Sequence, residues 1–245
     1  MTGPAADPPE PGPAGRPPGP GPGTGGLLAA ALEYALRAAE PAGPGLLARP
    51  TPCRGWDLRM LLRHVAESLA VLQEGLTSRR IALHPGPEDA AVTADPLAAF
   101  RDRAARLLAA SRAHDGGPGH GAGHGADGPE PHGHPVTGPV NGLCRAAALT
   151  HGVILIGGHW LPRDIAAGAG ALEVAMHGWD IALACGRPEP IPGPLAARLL
   201  QLSPLLVPAA GRAPLFAEPV PVPAAAGPSD QLAAFLGRSP GQRLP

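Results

Sequence analysis

Two residues of one predicted helix, Glu173 and His177, have the types and the spacing of a metal-binding pair. They lie four residues apart in segment 171–180, so in a helix their side chains stand on the same face. A carboxylate oxygen and an imidazole nitrogen that converge in this way supply two ligands of a catalytic metal site. The same spacing is also typical of an ordinary surface pair, and two residues alone do not decide between these interpretations.

A second predicted helix offers a third candidate ligand, His64. The apolar stripe of this helix runs from Leu58 to Leu72, and His64 lies at its edge, next to Leu61. Two histidines and one carboxylate form a known catalytic zinc set that leaves positions open for water or a thiol. A lone histidine at the edge of a core is more often packed or solvated than a ligand. The sequence alone does not show that the two helices meet.

Apolar periodicity, together with helix-start and helix-stop residues, predicts the elements that must position these side chains. Asp57 and Asp95 are expected to cap helix starts, and Gly186 is expected to end the long helix that carries the pair. The predicted helices cover about residues 26–40, 58 to beyond 72, 96–113, 163–184, 194–202 and 229–237.

Between the third and fourth long helices, the sequence contains two segments of different composition. Residues 114–139 contain Gly/His repeats, which are expected to form a flexible loop with incidental metal affinity. Residues 153–161 predict a short β-hairpin turning at a Gly-Gly pair, and a helix over 144–156 is the alternative.

The composition places the packed core in the middle of the chain. Glycine and proline number 35 each among 245 residues, which is typical of a chain with long uncompacted segments. We expect a disordered N-terminus at 1–25, a four-helix metal-binding bundle at 26–186, and a Pro-rich extension with short helices at 187–245. Aromatic residues are only 3% of the chain, so Leu, Val and Ala must build most of the core.

Charge and cysteine content exclude several classes of function. The formal net charge is −1, and all 19 basic residues are arginine, so no electrostatic case exists for nucleic acid or an anionic membrane surface. Three scattered cysteines without a CxxC motif are typical of a reducing compartment. No secretory signal or membrane span is predicted. We therefore expect a cytoplasmic protein without nucleic-acid or membrane partners, and its oligomeric state stays undefined.

Three segments of the chain match a known pattern. The first is TPCRGWDLRMLLRH, which ends at His64, and the second is HGWDIA, which begins at His177. The closing segment SDQLAAFLGR at 229–238 is similar to the tail of many relatives. Together these segments, which span roughly residues 27–240, resemble the DinB-like metalloprotein superfamily. Within it, they resemble the actinobacterial branch that includes mycothiol-dependent maleylpyruvate isomerase.

This resemblance implies a mainly α fold, a four-helix bundle of up-down-down-up topology, here with a short β-hairpin insertion and a Pro-rich C-terminal extension. It implies a divalent metal, usually zinc, whose ligands are His64, Glu173 and His177. In related thiol transferases the metal activates a low-molecular-weight thiol, which is mycothiol in actinobacteria. The implied function is transfer of that thiol to, or isomerisation of, a small electrophilic substrate in specialised metabolism or detoxification.

Several residues near the motifs are candidates for supporting roles. Asp180, one turn after His177, is a candidate acceptor for that histidine, and helix capping or surface exposure is an equal alternative. Cys53 is expected to pack within its loop rather than act as a nucleophile. Core packing is the default for the few aromatic residues, but three tryptophans are candidates to line a pocket: Trp56, Trp160 and Trp179.

Two other functions stay open from the sequence. The metal could act on bound water instead of a thiol, giving a hydrolase or cyclase of the same fold. The chain could also be a non-catalytic metal- or small-molecule-binding protein in which the Gly/His segment chelates metal. The extension after residue 186 looks shorter and less regular than the further C-terminal domain of the isomerase. The resemblance therefore does not define the substrate.

Overall fold

Six helices dominate the part of the chain that the computed structural model describes, which is residues 24–81, 92, 94–115, 152–156, 158–213, 215–242 and 244. The long helices are α1 Thr24–Ala38, α2 Leu58–Ser78, α3 Pro96–Asp115 and α4 Arg163–Ala184, and the shorter ones are α5 Gly193–Leu206 and α6 Pro228–Phe235. Single 3-10 turns occupy Pro44–Leu46 and Ala209–Gly211. Most of the predicted disordered N-terminus at 1–25 and of the predicted Gly/His loop at 114–139 lies outside the described residues. Residues 24–25 and 114–115 differ from those predictions, because α1 and α3 each extend two residues into these segments.

The residues expected to start and end the helices do so. The Asp57 carboxylate accepts the Met60 N–H at 2.8 Å at the start of α2, and the Asp95 carboxylate accepts the Ala98 N–H at 2.9 Å before α3. Helix α4 ends at Ala184, and Gly186, two residues later, has a left-handed φ of 71°, a conformation that glycine adopts without a steric cost.

The bundle is arranged around α4, which is buried on most of its circumference. Helices α1 and α2 both contact α3 and α4. Two glycines of α4 permit the close approach. A Cβ at Gly178 would lie 3.0 Å from the Tyr34 ring and 3.1 Å from the Ala35 Cα, and a Cβ at Gly170 would overlap Leu72. Because α1 and α2 lie so close to α4, residues of α4 and α2 face each other across a narrow gap.

A small sheet extends the bundle at one side. Strands β2 (Val153–Ile156) and β3 (His159–Pro162) pair antiparallel, with Leu155 opposite Trp160, so the predicted hairpin is confirmed over the helical alternative. Strand β1 (Arg80–Ile81) follows α2 and pairs parallel with β2. This strand was not predicted, because two residues are too few to show a period of alternation.

The C-terminal residues pack on the bundle and share its core. Leu199 of α5, Leu232 of α6 and Leu236 belong to the same buried cluster as the apolar residues of α1 to α4. Helix α5 continues to Leu206, past the predicted end at about 202, and accommodates Pro204 in its last turn. No helix in the described ranges is both long and apolar enough to cross a bilayer. The mainly α fold with a short β insertion is confirmed.

Candidate metal centre

Three potential ligands, His64 from α2 and Glu173 and His177 from α4, meet across the gap between these helices. His64 Nε2 lies 3.3 Å from Glu173 Oε1. The rings of His64 and His177 are nearly perpendicular, at 86°, with centroids 5.2 Å apart. One donor atom from each of the three residues lies within 4.8 Å of the other two. The structure therefore brings together all three residues that the sequence singled out as metal ligands.

The environment of Glu173 favours the charged form of its carboxyl group. Burial raises its pKa, but hydrogen bonds with His64 and Ser68 and the nearby His177 outweigh burial, so the pKa lies below its ordinary value. The side chains of His64 and Glu173 are still 38% and 37% exposed. A carboxylate that is ionised and accessible in this way is the form that binds a cation.

The other side of the His177 ring contacts a buried ion pair. Nδ1 of His177 lies 3.0 Å from Oδ2 of Asp180, which is fully buried, and Arg238 Nη2 donates to the same oxygen at 2.9 Å. Burial raises the Asp180 pKa, but the hydrogen bond with His177 and the charge of Arg238 outweigh burial and hold the pKa below its ordinary range. The ionised Asp180 carboxylate accepts a hydrogen bond from the Nδ1–H of His177. The other ring nitrogen, Nε2, then carries the free lone pair.

Cys53 lies against the same ion pair and completes a second group of potential ligands. Its Sγ is 3.4 Å from Asp180 Oδ2 and 4.0 Å from His177 Nδ1, and these three residues also satisfy the spacing of a metal cluster. Burial, with the Asp180 charge adding to it, raises the pKa of the Cys53 thiol to about 12. The Arg238 guanidinium, 3.8 Å from Sγ, places a fixed positive charge at this group. Because the guanidinium compensates the Asp180 carboxylate, this second group offers a cation less net negative charge than the first group does.

Sequence reasoning quoted Arg238 as part of the closing motif but missed its place at the site. The end of α6 explains how it arrives there. Gly237, at φ 81°, and Arg238 donate their N–H groups to the carbonyls of Ala234 and Ala233 at 3.0 and 2.9 Å. This Schellman arrangement reverses the chain after the helix. Nη1 also donates to the Leu236 carbonyl at 3.1 Å, which fixes the guanidinium beside the ion pair. The Gly-Arg pair directly after the predicted helix was the feature of the sequence that could have indicated this position of Arg238.

The loop before α2 positions two further side chains. The Thr51 hydroxyl donates to the Trp56 carbonyl at 2.9 Å, and Gly55 adopts φ 79°, so the loop folds back on itself. This fold places Cys53 against the ion pair and the Trp56 ring edge-on to the His64 ring, with centroids 5.0 Å apart.

The three tryptophans lie in different surroundings. Only Trp56 contacts a candidate ligand among the ring contacts of the described residues. Trp179 is buried in the core, and Trp160 is exposed on β3. None of the three tryptophans is among the residues that line the cavity beside the candidate ligands.

A cavity of about 320 Å³ opens beside His64, Glu173 and His177. Apart from these three residues and Arg238, the side chains that line it in the described ranges are apolar. Its principal walls come from α4, from the end of α5 and from the C-terminal segment: Leu172, Met176, Leu206, Val207, Phe216 and Leu236. The arrangement therefore offers a candidate cation site on the wall of a small apolar pocket.

Known proteins share this sequence pattern. The sequence model of the family described as the mycothiol maleylpyruvate isomerase N-terminal domain matches residues 28–139. These residues include His64 but not Glu173 or His177. Two uncharacterized proteins of Mycobacterium tuberculosis are each 31% identical to this chain over 195 residues. They are MT0763 of strain CDC 1551 / Oshkosh and Rv0738 of strain ATCC 25618 / H37Rv. These alignments cover 79% of this chain and 85% of each relative. No solved structure matches. The chain belongs to the mycothiol maleylpyruvate isomerase N-terminal domain family of the DinB-like superfamily.

Proposed function

We propose that this protein is a zinc-dependent enzyme that uses mycothiol to modify or isomerise a small electrophilic substrate. The observation that carries the proposal is the meeting of His64, Glu173 and His177 on the wall of an apolar cavity. Membership of a family named for a mycothiol-dependent isomerase supports the choice of thiol.

The donor set fits a zinc ion. Two imidazoles and a carboxylate are ligands of catalytic zinc sites, in which one coordination position stays open. Bonds of about 2.0–2.1 Å in a tetrahedral site place neighbouring ligand atoms roughly 3.3 Å apart. The distance of 3.3 Å between His64 Nε2 and Glu173 Oε1 matches this spacing. The hydrogen bond of His177 Nδ1 to Asp180 supports the fit, because it leaves Nε2 as the nitrogen that would hold the metal.

When bound, a divalent zinc ion lowers the pKa of a thiol ligand so far that the thiolate prevails at neutral pH. The charges of the protein favour that anion. Two neutral imidazoles and the Glu173 carboxylate compensate only half of the ion's charge, so an anionic fourth ligand balances the site. The apolar cavity walls exclude water from the sulfur and hold the substrate against it.

Addition of a thiolate to an electron-poor alkene can lead either to transfer of the thiol or to isomerisation of the alkene. A sulfur–carbon bond forms, and the π pair moves to the neighbouring carbon, which takes a proton from solvent when the thiol is transferred. In an isomerisation the carbon–carbon bond rotates instead, and the same pair then re-forms the double bond and expels the thiolate. Both outcomes need only a positioned thiolate and a substrate that fits the cavity.

Metal content tests the proposed site. Protein purified without a histidine tag is expected to hold one tightly bound metal, measured by mass spectrometry, and His64→Ala and Glu173→Gln are expected to lose it. The controls are His159→Ala and Glu67→Gln, two residues of the same types away from the cavity, which keep it. Loss of the metal only when histidines 120, 124, 132 and 134 become alanine would assign it to the Gly/His segment instead.

The thiol is tested on cobalt-substituted protein. Mycothiol is expected to produce a sulfur-to-cobalt charge-transfer band, and Glu173→Gln is expected to abolish it. A cobalt spectrum and a melting temperature that saturating mycothiol leaves unchanged would contradict the use of a thiol, and would favour chemistry with bound water.

A further inference from the structure

We infer that the substrate of this cavity is a small, uncharged and largely apolar electrophile rather than a dicarboxylate. The inference rests on the proposed function, because it names the substrate class of the same site. It separates this protein from maleylpyruvate, the dianion in the name of the family. Three observations support it: the walls of the cavity, the state of its arginine and the charge balance of the site.

Among the described residues, the cavity walls away from the candidate ligands and Arg238 provide no polar side chain that could bind a carboxylate. Leu172 and Met176 of α4 form one side, and Leu206, Phe216 and Leu236 form the other. These side chains favour apolar groups, since burying apolar surface is stabilising and burying an unpaired charge is costly. The volume of about 320 Å³ lies at the low end of the range for ligand pockets, which is roughly 300–1,000 Å³.

Arg238 is the cation that lines the cavity in the described part of the chain, and its guanidinium is already engaged. Nη2 and Nε lie 2.9 and 3.4 Å from the two carboxylate oxygens of Asp180, and Nη1 donates to the Leu236 carbonyl. The arginine side chain is only 14% exposed. A substrate carboxylate would have to compete with that of Asp180 for the charge of this guanidinium, and weakening the ion pair of the buried Asp180 is costly.

The charge balance leaves room for one anion. The ion pair of Asp180 and Arg238 has no net formal charge, which leaves the one formal negative charge of Glu173, so the site with a divalent metal would carry one positive charge. The thiolate of the co-substrate neutralises it. A dianion would therefore enter an apolar and already neutral cavity, whereas an uncharged substrate meets no such penalty.

Binding of two unreactive analogues tests the preference without a reaction. Dimethyl succinate and succinate share a carbon skeleton, and saturation-transfer NMR on the zinc-loaded full chain in the presence of mycothiol compares them. The diester is expected to bind at least about tenfold more tightly than the dianion. Equal binding, or tighter binding of succinate, would overturn the inference.

A pair of exposed leucines provides a matched control. Leu215 lines the cavity and Leu205 does not. Leu215→Arg adds a cation at the rim and is expected to raise the affinity for succinate several-fold. The difference in affinity between dimethyl succinate and succinate then becomes smaller. Leu205→Arg adds the same charge outside the cavity and is expected to leave the preference unchanged. An identical effect of both variants would show that succinate responds to overall charge and would contradict binding in this cavity.

Turnover separates this inference from the proposed function. Addition of mycothiol to dimethyl maleate and to maleate is followed, and each rate is divided by that without protein. A larger enhancement for the diester is expected. A larger enhancement for maleate would overturn the substrate class and leave the proposed function standing. No enhancement for either would contradict the proposed function, and the binding preference would still decide the substrate class.

Discussion

His177 belongs to two clusters that each contain a carboxylate and could each hold a metal ion, but that differ in charge and exposure. In the open cluster, which consists of His64, Glu173 and His177, the carboxylate and the facing imidazole are more than a third exposed. In the closed cluster, which consists of Cys53, Asp180 and Arg238 around His177 Nδ1, the carboxylate is fully buried and paired with a guanidinium. Residue type and spacing alone do not separate the two clusters. The counter-charge does, and for this reason we propose that the open cluster binds the cation and that the closed cluster supports it.

The largest contrast is expected in stability. Asp180→Ala leaves Arg238 buried without its counter-charge and is expected to lower the free energy of unfolding of the metal-free protein by about 3–5 kcal/mol. Glu173→Ala, at a partly exposed site, is expected to cost about 1 kcal/mol or less. Urea denaturation followed by circular dichroism measures both values.

The double variant Asp180→Ala/Arg238→Ala is the control for this contrast. It is expected to cost less than the sum of the two single variants, because neither charge is left alone. Equal losses for Asp180→Ala and Glu173→Ala would remove the distinction between the two clusters.

Zinc is expected to stabilise the protein through the open cluster. At a free zinc concentration a hundred times the dissociation constant, the gain is about 2.7 kcal/mol, and a chelator reverses it. His64→Ala is expected to abolish the gain, although the variant folds without metal. A zinc-dependent rise in melting temperature that survives in His64→Ala would place the ion elsewhere.

Asp180 is expected to affect metal affinity only through His177. Asp180→Asn keeps the shape of the side chain but removes the charge that holds Nδ1, so the affinity for zinc is expected to fall by about 10–100-fold. Competition against a chromophoric chelator measures the change. If Asp180 were itself a ligand, the loss would equal that of Glu173→Gln measured in the same titration.

The smallest effect is expected at Cys53. Cys53→Ala removes one contact with Asp180 and is expected to cost about 1 kcal/mol of stability, with the affinity for zinc unchanged. The same chelator competition and urea titration check both parts. Loss of the metal in this variant would show that the closed cluster binds it.

Local sequence pattern was sufficient to predict the helices and to pair two of the three candidate ligands. Glu173 and His177 converge because they lie one turn apart on a single helix, and the caps at Asp57 and Asp95 depend on neighbouring residues only. His64 was identified through its motif and its place at the edge of an apolar stripe. The structure brings it to Glu173 because glycines let α4 approach its neighbours closely.

Long-range partners escaped sequence reasoning. Arg238 meets Asp180 across 58 positions of sequence, and no periodic pattern encodes such a contact. Strand β1 has two residues and depends on its pairing with β2. Trp160 was expected to pack in the core, with a pocket wall as the alternative, yet it is exposed on β3. In each case the surroundings are contributed by distant segments.

Zinc-edge X-ray absorption on the full chain, loaded with one equivalent of zinc and without added thiol, tests most directly which cluster holds the ion. Binding by His64, Glu173 and His177 predicts a first shell of nitrogen and oxygen alone, at about 2.0–2.1 Å, with an identical spectrum for Cys53→Ala. A sulfur shell at about 2.3 Å that disappears in Cys53→Ala would contradict the assignment and place zinc in the closed cluster.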